Sequence, residues 1–364
     1  MEELGRPHRQ GRQPGIISNI GNRSHSRYGG VMKSSHRITS LLAISALVLT
    51  ACGGESSSSD TSAPAGDVLT IATSFYPLSE IVEKATTGMN VDIVNLTPPG
   101  VGAHDHELTA SQLDDLTTVD AVFYLGGGLQ PSVEKAVAQL DTTITVVDLM
   151  DHAQTIDAVK EKDKDGHDDH SEEEGAHSEE EGHDDHAHGD TDPHVWLDPA
   201  NMISMTKAVV ATLSTLASDS KTTLDTNSAS YIAELEQLGT AIDTAFANCA
   251  SRALVTSHDA FGYFAARAKL DTVPIAGVNP ENEPSAKELE AIAKVARDAK
   301  ATTVFFEAQL PEGLAKTVAS SIGAEVDAVD PIETISSADL NAGKNYISIQ
   351  TQNIENVTKG LRCS

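Results

Sequence analysis

Short runs of β-branched and apolar residues alternate with amphipathic segments from Asp67 almost to the end of this 364-residue chain. That alternation limits the fold more than any other feature. VLTIATS (68–74), NVDIVNLT (90–97), DAVFYLG (120–126) and ITVVDL (144–149) read as strands. Helical patterns at 78–87, near 109–118 and from Pro131 to Leu140 separate them. Apolar runs separated by helices signal βαβ units and a parallel sheet. After Pro199 the pattern is helical only, first NMISMTKAVVATLSTLA and then a longer helix at about 224–247. In the second, Leu224, Ile232, Leu235, Leu238, Ile242 and Phe246 form a one-sided apolar stripe. Strands resume at 253–258, 272–278, 302–308 and 324–332, with helices at about 260–269, 286–300 and 311–322. The expected fold is α/β: two Rossmann-like lobes with parallel sheets, joined by a long rigid helix.

The boundaries follow from composition. Residues 1–31 carry no usable pattern and stand as a doubtful N-terminal extension. Residues 32–51 have the basic start, the short apolar stretch and the small-residue end of a signal peptide. Leu49-Thr50-Ala51-Cys52 resembles a bacterial lipobox, which implies cleavage before Cys52 and acylation of its thiol. Residues 52–66 read as a flexible tether, 67–223 as the N-terminal lobe, 224–248 as the linker helix and 249–364 as the C-terminal lobe. In an exported chain the remaining Cys249 and Cys363 read as a disulfide, two free thiols being the alternative.

Net charge narrows the partners. The chain sums to -29, although its first 51 residues hold seven Lys/Arg against two Asp/Glu. Nucleic acid and anionic membrane surfaces would be repelled, and a divalent cation is the natural opposite charge. Within the N-terminal lobe, residues 161–192 carry fifteen acids and two lysines and read as a disordered His/acid-rich loop. Its histidines, His167, His170, His177, His183, His186 and His188, are more than solubility requires, and imidazole with carboxylate suits divalent transition metals.

Four further residues stand at matching topological places. His104 follows the strand at 90–97, His258 ends 253–258, Asp330 ends 324–329, the fourth strand run of the second lobe, and His194 follows 144–149 by way of the acidic loop. In open parallel sheets ligands bind beyond the C-terminal ends of the strands, which places all four in the cleft between the lobes. HDHE offers a second imidazole, His106, which could compete with His104. Glu307, closing VFFEA, could orient a ligand imidazole or replace Asp330.

The segments PPGVGAHDHEL, DPHVWLDP, VTSHDAFGYFA, VFFEAQ and AVDPI occur in that order. With them the chain resembles the zinc/manganese metal-binding lipoproteins of bacterial ABC transporters, the cluster A-I solute-binding proteins. The resemblance runs from Met32 to Ser364 and implies His104, His194, His258 and Asp330 as ligands. Two positions depart from the family pattern: His106 stands where an aromatic residue is usual, and Leu108 where Pro is frequent. The loop at 161–192 is most common in zinc-type members.

The implied function is capture of Zn2+ on the extracytoplasmic face and delivery to an ABC permease, by a monomer anchored to the membrane through Cys52. A Mn2+-type carrier is one alternative, and a metal-buffering or adhesin lipoprotein another. An exported zinc hydrolase is disfavoured: the sequence has no HExxH, no Gly-x-Ser-x-Gly and no paired carboxylates beside the histidines. His258 bears on the metal, because the related manganese carriers tend to have a carboxylate there.

The acidic loop has nothing to fix a coordination geometry, so metal bound there must also order the chain. Deleting Gly166–Gly189 is expected to leave one tight metal site and remove weaker ones, as counted by equilibrium dialysis. Loss of the tight site would show that the loop builds it.

Overall fold

The computed structural model describes residues 68–157, 191–280, 284–307 and 312–364. The leader, Cys52, the tether and the six loop histidines lie outside the described residues. The first lobe contains β1 (Leu69–Thr73), α1 (Tyr76–Ala85), β2 (Val91–Asn95), α2 (Ala110–Asp115), β3 (Ala121–Tyr124), α3 (Pro131–Val137) and β4 (Thr145–Asp148). Two long helices follow, α4 (Pro199–Leu216) and α5 (Lys221–Ala245). The second lobe contains β5 (Ala253–Thr256), α6 (Gly262–Ala268), β6 (Asp271–Pro274), α7 (Ala286–Asp298), β7 (Thr303–Glu307), α8 (Gly313–Ile322) and β8 (Glu325–Val329). It closes with α9 (Ser337–Asn341) and α10 (Tyr346–Gly360).

Local chemistry sets these limits. Pro77 occupies the first turn of α1, where its missing N–H costs nothing, and Leu78, Ile81, Val82 and Ala85 face the core. Capping boxes open α2 (Thr109 with Gln112), α7 (Ser285 with Glu288) and α10 (Asn345 with Ser348). Gly323 closes α8 in the left-handed conformation, which glycine adopts without steric cost.

The two sheets share one plan. Their orders are β2-β1-β3-β4 and β6-β5-β7-β8, parallel throughout. Strand order reverses between β1 and β3, and again between β5 and β7, leaving a crevice at the strands' carboxyl ends. Helix α5 has 25 residues and so spans about 37 Å at 1.5 Å per residue. One apolar core runs through both lobes and the helices between them, including Phe75, Trp196, Leu235, Leu254, Phe305 and Tyr346.

Strand β8 is shorter than the expected 324–332 because Asp330 opens a turn. Asp330 Oδ1 accepts from the Ile332 N–H at 2.8 Å, and Ile332 has φ of 57°. A β-branched residue is costly in the left-handed region, so this turn is held by its surroundings. Trp196 Nε1 donates to the Pro331 carbonyl at 2.7 Å, and the Gly100 N–H donates to Thr334 Oγ1 at 2.9 Å. Both bonds tie the turn to the other lobe. The segments flanking 158–190 meet in an antiparallel bridge between Asp157 and Thr191.

Cys249 and Cys363 form a disulfide across 114 residues, joining the end of α5 to the chain terminus. Cross-linking a loop this long restricts the unfolded chain. The double substitution Cys249→Ser/Cys363→Ser is expected to lower unfolding free energy by about 2–4 kcal/mol. Urea titration checks this, and an unchanged midpoint would contradict it.

Candidate metal centre

Three imidazoles and a carboxylate meet at the crevice. His104 comes from the loop after β2, His194 from the turn before α4, His258 from the end of β5, and Glu333 from the turn after β8. Each offers one ligand atom, and the four atoms lie within 4.8 Å of one another. Glu333 Oε1 is 3.2 Å from His258 Nε2, 3.4 Å from His104 Nε2 and 3.7 Å from His194 Nε2. His104 Nε2 and His194 Nε2 are 3.3 Å apart. Donors placed tetrahedrally about 2.0–2.1 Å from a zinc ion would be about 3.3–3.4 Å from one another. The measured separations bracket that edge.

Carboxylates behind two of the rings aim them. Asp192 Oδ1 lies 2.8 Å from His194 Nδ1 and accepts from the His194 N–H at 2.9 Å. Tyr263 on α6 fixes Asp192 in turn, donating to its carbonyl at 2.6 Å. Glu307 Oε2 lies 2.7 Å from His258 Nδ1, while its Oε1 accepts from the His258 N–H at 3.1 Å. A carboxylate on Nδ1 turns Nε2 to the centre and makes it a better donor to a cation.

Charge is finely set among these buried groups. Burial pushes the His194 imidazole down, against the opposing pull of Asp192. Burial would also hold His258 neutral, but Glu307 and then Glu333 outweigh it and push the imidazole up to about 10. Glu333 is fully desolvated, which would raise its carboxyl. His104 and then His258 overcome that and hold it well below the carboxylate range. His258 Nε2 and Glu333 Oε1 are nevertheless buried with no hydrogen-bond partner among the described residues. Unsatisfied buried polar atoms are costly, and a cation bound by all four ligand atoms would satisfy these two together.

The structure brings together His104, His194 and His258 but not Asp330. Glu333, three residues further on, stands with the three imidazoles where Asp330 was expected. The Asp330 carboxylate is engaged in the turn, where burial pushes it up to about 6 against the stabilising Ile332 N–H. Asn353 clasps the Asp330 backbone, donating to its carbonyl at 2.7 Å and accepting from its N–H at 2.9 Å. Glu307 stands behind His258 and outside the four-atom group. His106 also falls outside that group, though it lines the same cavity. Sequence reasoning missed Glu333 and Asp192. Periodicity reveals neither a turn of the Asp330 type nor the ordered end of an acidic run.

A family profile described as the periplasmic zinc-uptake complex component A matches residues 71–360. The chain is 32% identical over 319 residues to the high-affinity zinc uptake system protein ZnuA of Bacillus subtilis (strain 168), covering 86% of this chain and 94% of that one. It is 31% identical over 327 residues to the zinc-binding lipoprotein AdcA of Streptococcus pneumoniae (strain ATCC BAA-255 / R6). That match covers 88% of this chain but only 60% of AdcA. The crystal structure of the Zn(II)-bound ZnuA-like domain of S. pneumoniae AdcA superposes with a TM-score of 0.65 at 25% identity, over 81% of this chain and 99% of that one.

The raised His258 and lowered Glu333 have opposite linkage signs. His258 contributes to metal-free stability fully below its ordinary 6.5, and that contribution is lost as pH rises through about 10. Glu333 contributes fully above its ordinary 4.5 and loses it only as pH falls through its depressed value. Metal-free protein is therefore expected to exceed its His258→Gln variant in stability by up to a few kcal/mol at pH 6, with the gap closing toward pH 10. A gap in urea unfolding that is constant from pH 6 to 10 would refute the assignment.

Proposed function

The chain belongs to the zinc-uptake complex component A family, and on that premise we propose that it captures Zn2+ outside the cytoplasm and delivers it to an ABC-type permease. The observation carrying this reading is the meeting of three Nε2 atoms and one Oε1 within 4.8 Å, with four of their separations at 3.2–3.7 Å. Nitrogen-rich four-coordinate sites suit zinc, whereas manganese and magnesium favour oxygen-rich shells with more ligands. Mn2+ would occupy the same position more weakly.

His104, His194, His258 and Glu333 are the ligands in this reading. Asp192 and Glu307 orient His194 and His258, and Asp330 holds the turn that presents Glu333. Four protein ligands leave no open position for an activated water, which favours capture over hydrolysis. The permease is the proposed partner. Acylated Cys52 is the proposed anchor, holding a monomer on the extracytoplasmic face of the membrane. The loop histidines are accessory binders.

Competition titration is expected to show zinc bound far more tightly than manganese. His258→Ala should weaken zinc severely, and His258→Glu should narrow the gap between the metals. Glu333→Ala should cost more zinc affinity than Asp330→Ala. Removing an orienting carboxylate, as in Glu307→Gln, should cost about 10–100-fold. Equal binding of both metals, or indifference to His258→Ala, would overturn the zinc reading. A larger effect at Asp330 than at Glu333 would overturn the ligand set.

A further inference from the structure

Three of the four site residues, His104, His258 and Glu333, line a cavity larger than the site itself, while His194 is buried behind it. The cavity measures about 300 Å³ and is lined also by Gly100–Gly102, Asp105, His106, Glu107 and Pro280. A water in liquid occupies about 30 Å³, so this volume corresponds to roughly ten, well beyond the needs of one dehydrated ion. Beside the four ligands stands a second imidazole. His106 Nε2 is buried and has no hydrogen-bond partner among the described residues. It lies outside the group of atoms within 4.8 Å, so it does not complete the shell of the same ion.

Its neighbours add charge. Asp105 and Glu107 flank His106 and are both exposed, and both line the cavity. The loop carrying them is fastened at both ends. The Gly100 N–H donates to Thr334 Oγ1, and the Leu108 N–H donates to Ser132 Oγ at 3.0 Å. Imidazole χ2 is a broad two-fold torsion, so a turn of the His106 ring can bring a nitrogen into the cavity without moving the backbone.

We propose that His106, assisted by Asp105 and Glu107, is a transit ligand for divalent metal: it takes a partly hydrated cation at the cavity mouth and passes it to His104, His194, His258 and Glu333. A hydrated dication must exchange water for protein ligands one at a time, and it is bound more easily when the first ligand sits outside the closed set. Two carboxylates beside that imidazole raise the local cation concentration. The inference rests on the four-ligand site proposed above.

A transit ligand changes rates and leaves affinity alone, since an intermediate that speeds arrival speeds departure equally. Co2+ makes the test specific, because its strong visible absorption in a tetrahedral site reports arrival at the four ligands. Stopped-flow mixing of the mature chain with substoichiometric Co2+ would be compared for the unmutated protein, His106→Ala and His106→Gln. Both variants are expected to slow association at least fivefold and release into chelator by the same factor. The equilibrium constant should stay within about twofold. Asp105→Asn/Glu107→Gln should slow association and weaken its dependence on ionic strength.

Unchanged rates in folded His106→Gln would overturn the proposal. So would a large loss of affinity with association unaffected, which would make His106 a ligand of the final site. If the unmutated chain gives no tetrahedral spectrum, the four-ligand reading itself fails. A normal spectrum with unaltered kinetics rejects only the transit role.

Discussion

A carboxylate withdrawn from water must be met by positive charge, and the cleft is arranged around that requirement at Glu333. Its Oε1 faces three imidazole nitrogens at 3.2–3.7 Å. With no cation present, His258 supplies the charge by retaining a proton between Glu333 and Glu307. A bound dication would take over that role and displace the proton. Binding of a dication there would therefore be coupled to loss of that proton.

The scaffold's hydrogen bonds serve the placement of that carboxylate. The turn bearing Glu333 passes through a left-handed Ile332, a conformation that needs external support. Support comes from Asp330 within the turn, from Asn353 on α10, and across the cleft from Trp196 and Gly100. Trp196 is itself fixed: its ring meets Phe75 edge-on at 4.9 Å and its carbonyl accepts from the Tyr346 hydroxyl. His194 lies two residues before Trp196. One packed aromatic thus sets the position of a ligand from each lobe.

Much of this was legible in the sequence, and the parts that were not share a cause. The eight strands, the two long helices and the three histidines follow from alternation and from the rule that ligands gather beyond parallel strand ends. The disulfide followed from parity and export. Asp330 was read as a ligand because it ends a strand run, whereas its oxygen accepts from the Ile332 N–H and Glu333 is the carboxylate that meets the imidazoles. That outcome depends on one backbone torsion, which periodicity does not encode. Asp192 looked like the last residue of an acidic run, but Tyr263, 71 positions later, draws it into order. Helix α10 escaped notice because YISIQTQNIENVTKG is rich in polar and β-branched residues, and its capping box uses Asn and Ser rather than the more familiar Ser/Thr with Glu.

In the proposed reading, the division of the four site residues between the lobes has a consequence for release. His104 and His194 come from the first lobe, His258 and Glu333 from the second. Either pair alone is a bidentate site open to water, and neither offers the closed shell that favours zinc over softer or harder competitors. Tight retention therefore requires both lobes in register. The Trp196–Pro331 and Gly100–Thr334 bonds maintain that register while spanning the cleft. A partner that broke those two bonds would remove two ligands from the ion without contacting it. The Trp196–Pro331 bond is buried and Thr334 is 2% exposed, so both bonds are broken by moving one lobe against the other rather than by direct contact.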